Sequence, residues 1–245
     1  MAKKWKIIIF IGVGIAFIVA ISAYREIQGQ KLLNLIKIKG HHYTVAQVEQ
    51  LLKSGANANA ISWMWIDGGT PVLYYAVRKG DVELVKLLLR YHADPNKPAI
   101  HWDTPLQIAM DDGDEEMVKL LVAHHGNINR HNNHSDGSTL LMKVVLEGDL
   151  KKVELLLRYG ARPDERAKNG WTALRIAEVI LGELPVLGSR NIFDRIYPIF
   201  MDDIEKFEQE AAKKKLYLQK DSVGTEKRKE YLEIKNLLLS AGAIK

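Results

Sequence analysis

The chain has 245 residues, enough for one or two domains, and its apolar content of 47% is ordinary for a globular protein. The net charge of +5 is modest and no long basic tract occurs, which argues against a nucleic-acid partner. Cysteine is absent, so a disulfide framework and a thiolate metal site are both excluded.

Residues 1–24 predict a membrane anchor or a signal sequence. Three lysines precede the run Ile7–Ala23, which is apolar except for Ser22. Seventeen helical residues reach roughly 26 Å, slightly short of a ~30 Å hydrocarbon core. Positive charge before the run predicts a cytoplasmic N-terminus. The rest of the chain would then lie across the membrane. In a bacterium, this describes a single-pass inner-membrane protein whose repeats, analysed next, face the periplasm. The alternative is a cleaved signal peptide, which would leave a soluble periplasmic protein.

A block of constant internal length recurs three times behind this segment. The closing residue lies 16 positions after the glycine in each copy, from Gly80 to Asn96, from Gly113 to Asn129 and from Gly148 to Asp164. Apolar residues follow each glycine at helical spacing, and a turn ends the block. Upstream of the second copy, Thr104 is a suitable N-cap and Pro105 a suitable first helical residue. Constant length with variable spacers indicates a repeated unit of helix, tight turn, second helix and turn-rich spacer.

This unit resembles the ankyrin repeat, whose pattern runs Gly-x-Thr-Pro-Leu-His, then Gly, then Leu-Leu and Gly-Ala-Asp-x-Asn. The resemblance is carried by Asp103-Thr-Pro-Leu106, by Gly170-Trp-Thr-Ala-Leu174 and by the three closing blocks. The steps between successive glycines are 33 and 35 residues, against about 33 in the family. The family's histidine is replaced by Gln107, Met142 or Arg175.

The resemblance implies an all-α fold, namely an ankyrin-repeat solenoid of about five helix-turn-helix units with β-hairpin fingers between them, preceded by the N-terminal transmembrane helix or signal sequence. The repeat domain is predicted over 31–245, with units at about 31–61, 67–98, 101–131, 135–167 and 169–245. The fifth unit is predicted to be split by a helical insertion at about 182–228. This insertion either caps the array or supplies part of a partner site.

In the family, the fingers and the first helices line a concave face that binds proteins, so the resemblance implies a partner site there. Finger one (60–69) and finger three (130–136) exceed the family spacing, and loops of this kind carry specificity. The predicted partner-binding residues are Trp63, Met64, Trp65, Tyr74, His101, Trp102, Arg130, His131, His134 and Trp171. We expect Trp102 and Trp171 to be exposed. The alternative is that the finger tryptophans pack as additional core.

Neither a metal site nor an enzyme is predicted. The spacing of His131 and His134 invites a metal interpretation, but no cysteine and no glutamate lies nearby in sequence, which favours a solvated polar turn. The chain has no nucleophile elbow, P-loop, dinucleotide fingerprint or metalloprotease helix. We therefore expect no catalytic residue, no cofactor and no small-molecule substrate.

The overall plan is similar to that of bacterial exported ankyrin-repeat immunity proteins, some of which are partners of lipases delivered by type VI secretion. The implied function is to bind and neutralise a toxic effector enzyme, such as a secreted phospholipase. This rests on architecture and not on any diagnostic residue. The alternative is an envelope scaffold or chaperone for an endogenous periplasmic protein. A host-directed effector is a third, less favoured reading.

Overall fold

The described part of the protein is helical. A computed structural model describes residues 2–37, 43–62, 69–99, 103–132, 137–181 and 222–243, with side chains from 13 and 226 onward in the first and last of these ranges. The helices in these ranges are α1 (Ala2–Lys37), α2 (Val45–Lys53), α3 (Val72–Arg78), α4 (Val82–Arg90), α5 (Pro105–Asp111), α6 (Glu115–Ala123), α7 (Leu140–Glu147), α8 (Leu150–Arg158), α9 (Ala173–Leu181) and α10 (Ser222–Ser240). The predicted all-α class is therefore confirmed.

The chain divides into two compact units, residues 1–126 and 127–245. In the first unit α3 packs against α1, α4 and α5, α2 packs against α1 and α4, and α5 packs against α6. In the second unit α7 packs against α8 and α9, and α10 packs against both α8 and α9. Each short helix thus buries its apolar side against neighbouring helices, as expected of repeats that cannot form a core alone.

The N-terminal helix corrects the predicted localisation. Ile7–Ala23 does not form a helix of its own, because α1 continues without interruption from Ala2 to Lys37. Its last turns enter the first unit, where Leu32, Leu33 and Ile36 are buried. Within the described residues, no helix has the length and apolar character required to cross a membrane. The prediction of a single-pass inner-membrane protein with periplasmic repeats is wrong on this finding.

A glycine and an aspartate form the turn between the two helices of a repeat. The glycines have positive φ angles, which permit the sharp reversal, and the aspartates cap the helix that follows. The three copies are Gly80 (φ 66°) with Asp81, Gly113 (φ 72°) with Asp114, and Gly148 (φ 75°) with Asp149. Each carboxylate accepts a hydrogen bond from the amide three residues ahead, at 2.9, 3.0 and 3.1 Å respectively. The Gly-Asp pair of the repeated block therefore acts as one turn-and-cap element.

The first helix of a repeat begins at a threonine cap in α5 and α7. Thr104 accepts from the Gln107 amide while the Gln107 side chain accepts from the Thr104 amide, and Pro105 occupies the first turn. This confirms the predicted start of α5. Thr139 caps α7 with a single bond, which its hydroxyl accepts from the Met142 amide at 3.4 Å. Pro71 holds the corresponding position of α3 and supplies no side-chain cap.

Asparagine side chains join successive repeats within each unit. Asn59 accepts from the Asp94 amide at 2.7 Å and donates to the His92 carbonyl at 2.8 Å. Asn96 donates to the His125 carbonyl at 2.9 Å. In the second unit, Asn129 donates to the Gly160 carbonyl at 3.1 Å and accepts from the Arg162 amide at 2.7 Å. The asparagine that closes the repeated block is therefore an inter-repeat link.

Helix α10 completes the second unit. It has 19 residues, against nine in α8, and it begins at Ser222, before the predicted end of the insertion at 228. Tyr231 is 2% exposed, and its hydroxyl donates to the Leu146 carbonyl at 2.9 Å. A Cβ on Gly148 would lie 2.6 Å from that hydroxyl, so glycine is needed there for space as well as for its backbone conformation. Burial raises the pKa of the Tyr231 phenol, which therefore remains a donor at neutral pH.

Helix α1 packs tightly at Gly29 against the turn that contains Asn57 and Ala60. A Cβ on Gly29 would lie 3.0 Å from the Ala60 Cβ, whereas one on Gly14 of the same helix would meet nothing within 4 Å. We expect Gly29→Leu to lower the free energy of unfolding by about 1–3 kcal/mol through overpacking. Gly14→Leu gains the same helix propensity without the clash and serves as the control in denaturant unfolding. Equal stability of the two variants would contradict close packing of Gly29 against Ala60.

The Tyr231 hydroxyl offers a second test. Tyr231→Phe removes the donor to the Leu146 carbonyl and should reduce the free energy of unfolding by about 1 kcal/mol. Tyr159→Phe is the matched control, since Tyr159 is half-buried at the end of α8 in the same unit. Denaturant curves of the two variants compare the buried hydroxyl with the more exposed one. An equal loss in both would show that the bond to Leu146 adds nothing.

Candidate partner-binding surface

The described arms of fingers one and three are held by short antiparallel contacts. In finger one, Ile61 bridges to Pro71 and the Ser62 amide donates to the Thr70 carbonyl at 3.0 Å. In finger three, His131 bridges to Thr139. Both bridges are isolated, and within the described ranges neither finger forms a regular strand. The structure thus describes the predicted β-hairpin fingers only at their bases, where backbone hydrogen bonds and one bridge join the two arms.

The structure describes four of the predicted partner-binding residues, namely Tyr74, Arg130, His131 and Trp171. The other six lie outside the described residues: Trp63, Met64, Trp65, His101, Trp102 and His134. Most of the predicted insertion, 182–221, also lies outside them. The described surface therefore consists of the finger bases and the first helices.

In the first unit, Tyr74 and Tyr75 occupy different environments at the start of α3. Tyr74 is 8% exposed, whereas Tyr75 is half-buried. Their rings meet edge to face, with centroids 6.2 Å apart. Burial raises the pKa of the Tyr74 phenol, with the nearby Arg78 guanidinium opposing and the Asp103 carboxylate adding to the shift. Tyr75 is the more accessible ring of the pair.

Two cations lie near these rings, and sequence spacing did not predict their positions. The Lys37 ammonium lies 5.9 Å from the centroid of the Tyr75 ring and 3.3 Å from the Ser62 hydroxyl. The Arg78 guanidinium lies 5.9 Å from the Tyr74 ring centroid. Lys37 belongs to α1, so the contact with Tyr75 links elements distant in sequence. Aromatic and cationic groups of this kind are frequent at protein interfaces.

In the second unit, both ring nitrogens of His131 have oxygen neighbours. Nδ1 lies 2.7 Å from the Gly137 carbonyl oxygen and Nε2 lies 3.0 Å from a Glu165 carboxylate oxygen. The Arg162 guanidinium lies 3.3 Å from the other Glu165 oxygen. Sequence spacing did not reveal Glu165, which lies 34 positions from His131. His131 is thus a polar link between successive fingers, and Arg130 is half-buried beside it.

Trp171 corrects an expectation about exposure. It is 6% exposed, so the prediction that it projects from finger four (165–171) is wrong. Its carbonyl accepts from the Ala167 amide at 2.9 Å, which folds finger four back on itself. The Arg175 guanidinium lies 5.6 Å from the Trp171 ring centroid. Among the described residues, the buried Arg175 Nε has no hydrogen-bond partner. A part for Trp171 in partner binding stays a prediction.

Within the described part of the chain, no group of three or more His, Asp or Glu side chains is arranged to hold a metal ion. The His131 ring nitrogens already face oxygen atoms of the protein. The described groups are aromatic rings, cations and hydrogen-bonding side chains. Such groups can bind a protein surface by contact.

Models of two ankyrin-repeat families match the chain. The first, described as ankyrin repeats in three copies, matches residues 106–179, and the second, described as ankyrin repeats in many copies, matches residues 73–122. The chain therefore contains ankyrin repeats, and the predicted resemblance to that repeat is confirmed. Ankyrin repeats suggest a module for protein–protein interaction and are typically non-catalytic.

Two curated proteins of Mus musculus are similar to short segments of the chain. The 2-5A-dependent ribonuclease is 46% identical over 65 residues, which is 26% of this chain and 8% of the ribonuclease. Protein phosphatase 1 regulatory subunit 27 is 46% identical over 44 residues, which is 18% of this chain and 29% of that subunit. The chain spans less than a third of the length of either relative. So short a match gives no basis for assigning the activity of the ribonuclease to this chain.

The burial of Trp171 generates a prediction about stability. Trp171→Ala removes a large buried side chain and should lower the free energy of unfolding by about 3–5 kcal/mol. Trp171→Phe keeps much of the apolar volume and should lose clearly less. Denaturant unfolding followed by circular dichroism measures both variants. An alanine variant as stable as the parent would contradict the core position of this side chain.

Proposed function

We propose that the chain binds a protein partner on the surface formed by its fingers and first helices. The observation that supports this most directly is the construction of fingers one and three. Each exceeds the family spacing, yet each base is held by an antiparallel bridge. A loop with a fixed base loses less conformational freedom when its tip binds, so more of the contact energy contributes to affinity. The two longest fingers are thus suited to recognition.

The contact residues that we propose are those predicted from the sequence, and they include Tyr74 and Trp171, although both rings are largely buried. Trp63, Met64 and Trp65 belong to finger one, and tryptophan is enriched among residues that dominate binding energy. His101 and Trp102 belong to the next finger, while Arg130, His131 and His134 belong to finger three. To these we add Tyr75 and Lys37, because their contact lies beside the base of finger one.

We further propose that five repeats make up the binding array, at about 31–61, 67–98, 101–131, 135–167 and 169–245. In this proposal α9 and α10 are the two helices of the fifth repeat, separated by the insertion. The packing of α10 on both α8 and α9 supports the proposal, since a second helix contacts its own first helix and the preceding repeat. The buried Tyr231 also supports it.

The narrower proposal is an immunity function, in which the array covers the active site of a toxic effector enzyme such as a secreted phospholipase. Its support is the overall plan of the chain together with the non-catalytic character of the repeats. The alternative is a scaffold or chaperone for an endogenous protein. Co-expression separates the two: an immunity protein restores growth to cells that produce the toxin, whereas a scaffold does not.

The finger-one side chains provide the direct test of partner binding. Trp63→Ala combined with Trp65→Ala should weaken partner affinity by about 2 kcal/mol or more, as expected for an aromatic hot spot. The thermal midpoint should remain close to that of the parent, because the tip of the finger is not expected to contribute to the core. Affinity capture with the parent chain supplies the partner, and isothermal titration calorimetry with that partner measures the affinity. A large loss of thermal stability would instead identify the two rings as core residues.

A further inference from the structure

Finger four differs from the other three fingers in its charge. From its first residue to the third residue of α9 it carries Arg166, Lys168 and Arg175 against the single carboxylate of Glu165, a net charge of +2. The corresponding stretches are 60–74, 97–107 and 130–142. The first of these carries −1, and in the other two one cation and one carboxylate cancel, with histidine neutral. An excess of positive charge is therefore particular to finger four.

The one carboxylate of finger four is engaged by groups outside the finger. One Glu165 oxygen lies 3.3 Å from the Arg162 guanidinium, and the other lies 3.0 Å from the His131 ring. Arg166 and Lys168 are both exposed. The negative charge of Glu165 is thus offset by Arg162, and finger four presents a net positive charge to its surroundings.

Finger four is a closed turn, and the structure describes all of it. The Ala167 amide donates to the Trp171 carbonyl and the Gly170 amide donates to the Ala167 carbonyl, both at 2.9 Å. The Trp171 amide donates to the Asn169 side chain at 3.0 Å. The Arg166 guanidinium donates to the Gly170 carbonyl at 3.4 Å. The backbone that carries Arg166 and Lys168 is therefore ordered before any partner binds, which lowers the entropic cost of binding.

Arg175 is held at the base of the same finger. Its amide donates to the Thr172 hydroxyl at 3.2 Å, and its guanidinium lies 5.6 Å from the Trp171 ring centroid. Contact with a ring restrains a guanidinium and leaves its charge intact. The same position of the two preceding repeats holds the uncharged Gln107 and Met142. Arg175 is thus a cation that the repeat itself does not require.

Lys168 extends the positive charge towards finger three. A Cβ on Gly137 would lie 2.8 Å from the Lys168 Cγ, so the Lys168 side chain packs against the base of that finger. Arg166, Lys168 and Arg175 together form a cluster, the finger-four cations, on the side of the second unit where the fingers lie.

We propose that the finger-four cations bind an acidic segment of a protein partner, with two or more Asp or Glu side chains. This proposal rests on the proposed function and names the chemistry of the partner at this part of the surface. Guanidinium groups pair with carboxylates through two parallel hydrogen bonds, and an ammonium adds a point charge. Complementary charge orients an approaching partner and raises the rate of association.

A nucleic acid fits this cluster less well than an acidic protein. Proteins that bind single strands stack the bases on exposed aromatic rings, whereas the Trp171 ring is 6% exposed. Affinity for the phosphate backbone grows with the number of phosphates that are neutralised, and finger four supplies three cations beside the Glu165 carboxylate. Carboxylates at a few fixed positions match this arrangement better than a continuous phosphate chain.

A titration of the full chain with capped hexaglutamate tests the cluster without a natural partner. At low ionic strength we expect the backbone amide signals of Lys168 and Gly170 to shift in heteronuclear NMR spectra. A capped glycine–serine hexapeptide should leave them in place. Arg166→Gln combined with Lys168→Gln should weaken the affinity for hexaglutamate by about two- to fivefold for each cation removed. Because both positions are exposed, this double variant should keep the parent fold.

A matched double variant separates the site from the overall charge of the chain. Lys119→Gln combined with Lys151→Gln removes two exposed cations from α6 and α8 and should bind hexaglutamate as the parent does. Equal weakening in both double variants would overturn the proposal. Arg175→Gln introduces the residue that Gln107 provides in an earlier repeat and should weaken hexaglutamate binding about two- to fivefold. Tighter binding of hexathymidylate than of hexaglutamate would also overturn it, in favour of a nucleic acid.

The outcomes for the cluster and for the proposed function are separable. Isothermal titration calorimetry compares a captured partner with the parent and with both double variants. Equal affinity for all three chains supports the proposed function and overturns the part assigned to the finger-four cations. Weaker binding by the Arg166 and Lys168 variant alone, with a difference that shrinks as salt is added, supports both. A chain that binds hexaglutamate at finger four but no protein supports the carboxylate site and contradicts the proposed function.

Discussion

The repeats of this chain depend on hydrogen bonds between an asparagine side chain of one repeat and the backbone of the next. Asn59, Asn96 and Asn129 each close one repeat and bond to the backbone of the next. A helix pair of this size cannot bury its apolar side alone, so its stability comes from the neighbouring repeat. The amide bonds to the backbone turn of that neighbour, and the Gly-Asp turn joins the two helices within a repeat. The finger between two repeats is thereby placed by bonds at its base.

This arrangement leaves the fingers free to vary in length without disturbing the stack. In fingers one and three a bridge joins the two arms on either side of the additional residues in the sequence. In the second unit, the His131 contacts add a connection between fingers that the repeat itself does not require. A few polar contacts therefore connect the described finger bases with one another and with the helices.

Burial decided which aromatic residues are available for contact. Trp171 and Tyr74 were both predicted to bind a partner, and both are buried near the start of a first helix. Tyr75, one residue along, is more accessible and lies beside Lys37 of α1. Adjacent positions on a short helix point in different directions, so a one-residue difference separates core from surface. Sequence spacing does not resolve that difference when both residues are tyrosine.

The sequence by itself determined the helical repeat, its Gly-Asp turns and its closing asparagines, because these depend on residues within one repeat length. It also located the lengthened fingers, since spacing is a property of the chain. Only the tertiary structure decided the contacts between repeats, such as Glu165 beside His131 at 34 positions' separation and Lys37 beside Tyr75. It also overturned the predicted membrane span, since α1 runs on into the first unit and no described helix meets the requirement for crossing a membrane. The physical reason is that stacking brings together residues one repeat apart, and a linear pattern does not show which side chains will meet.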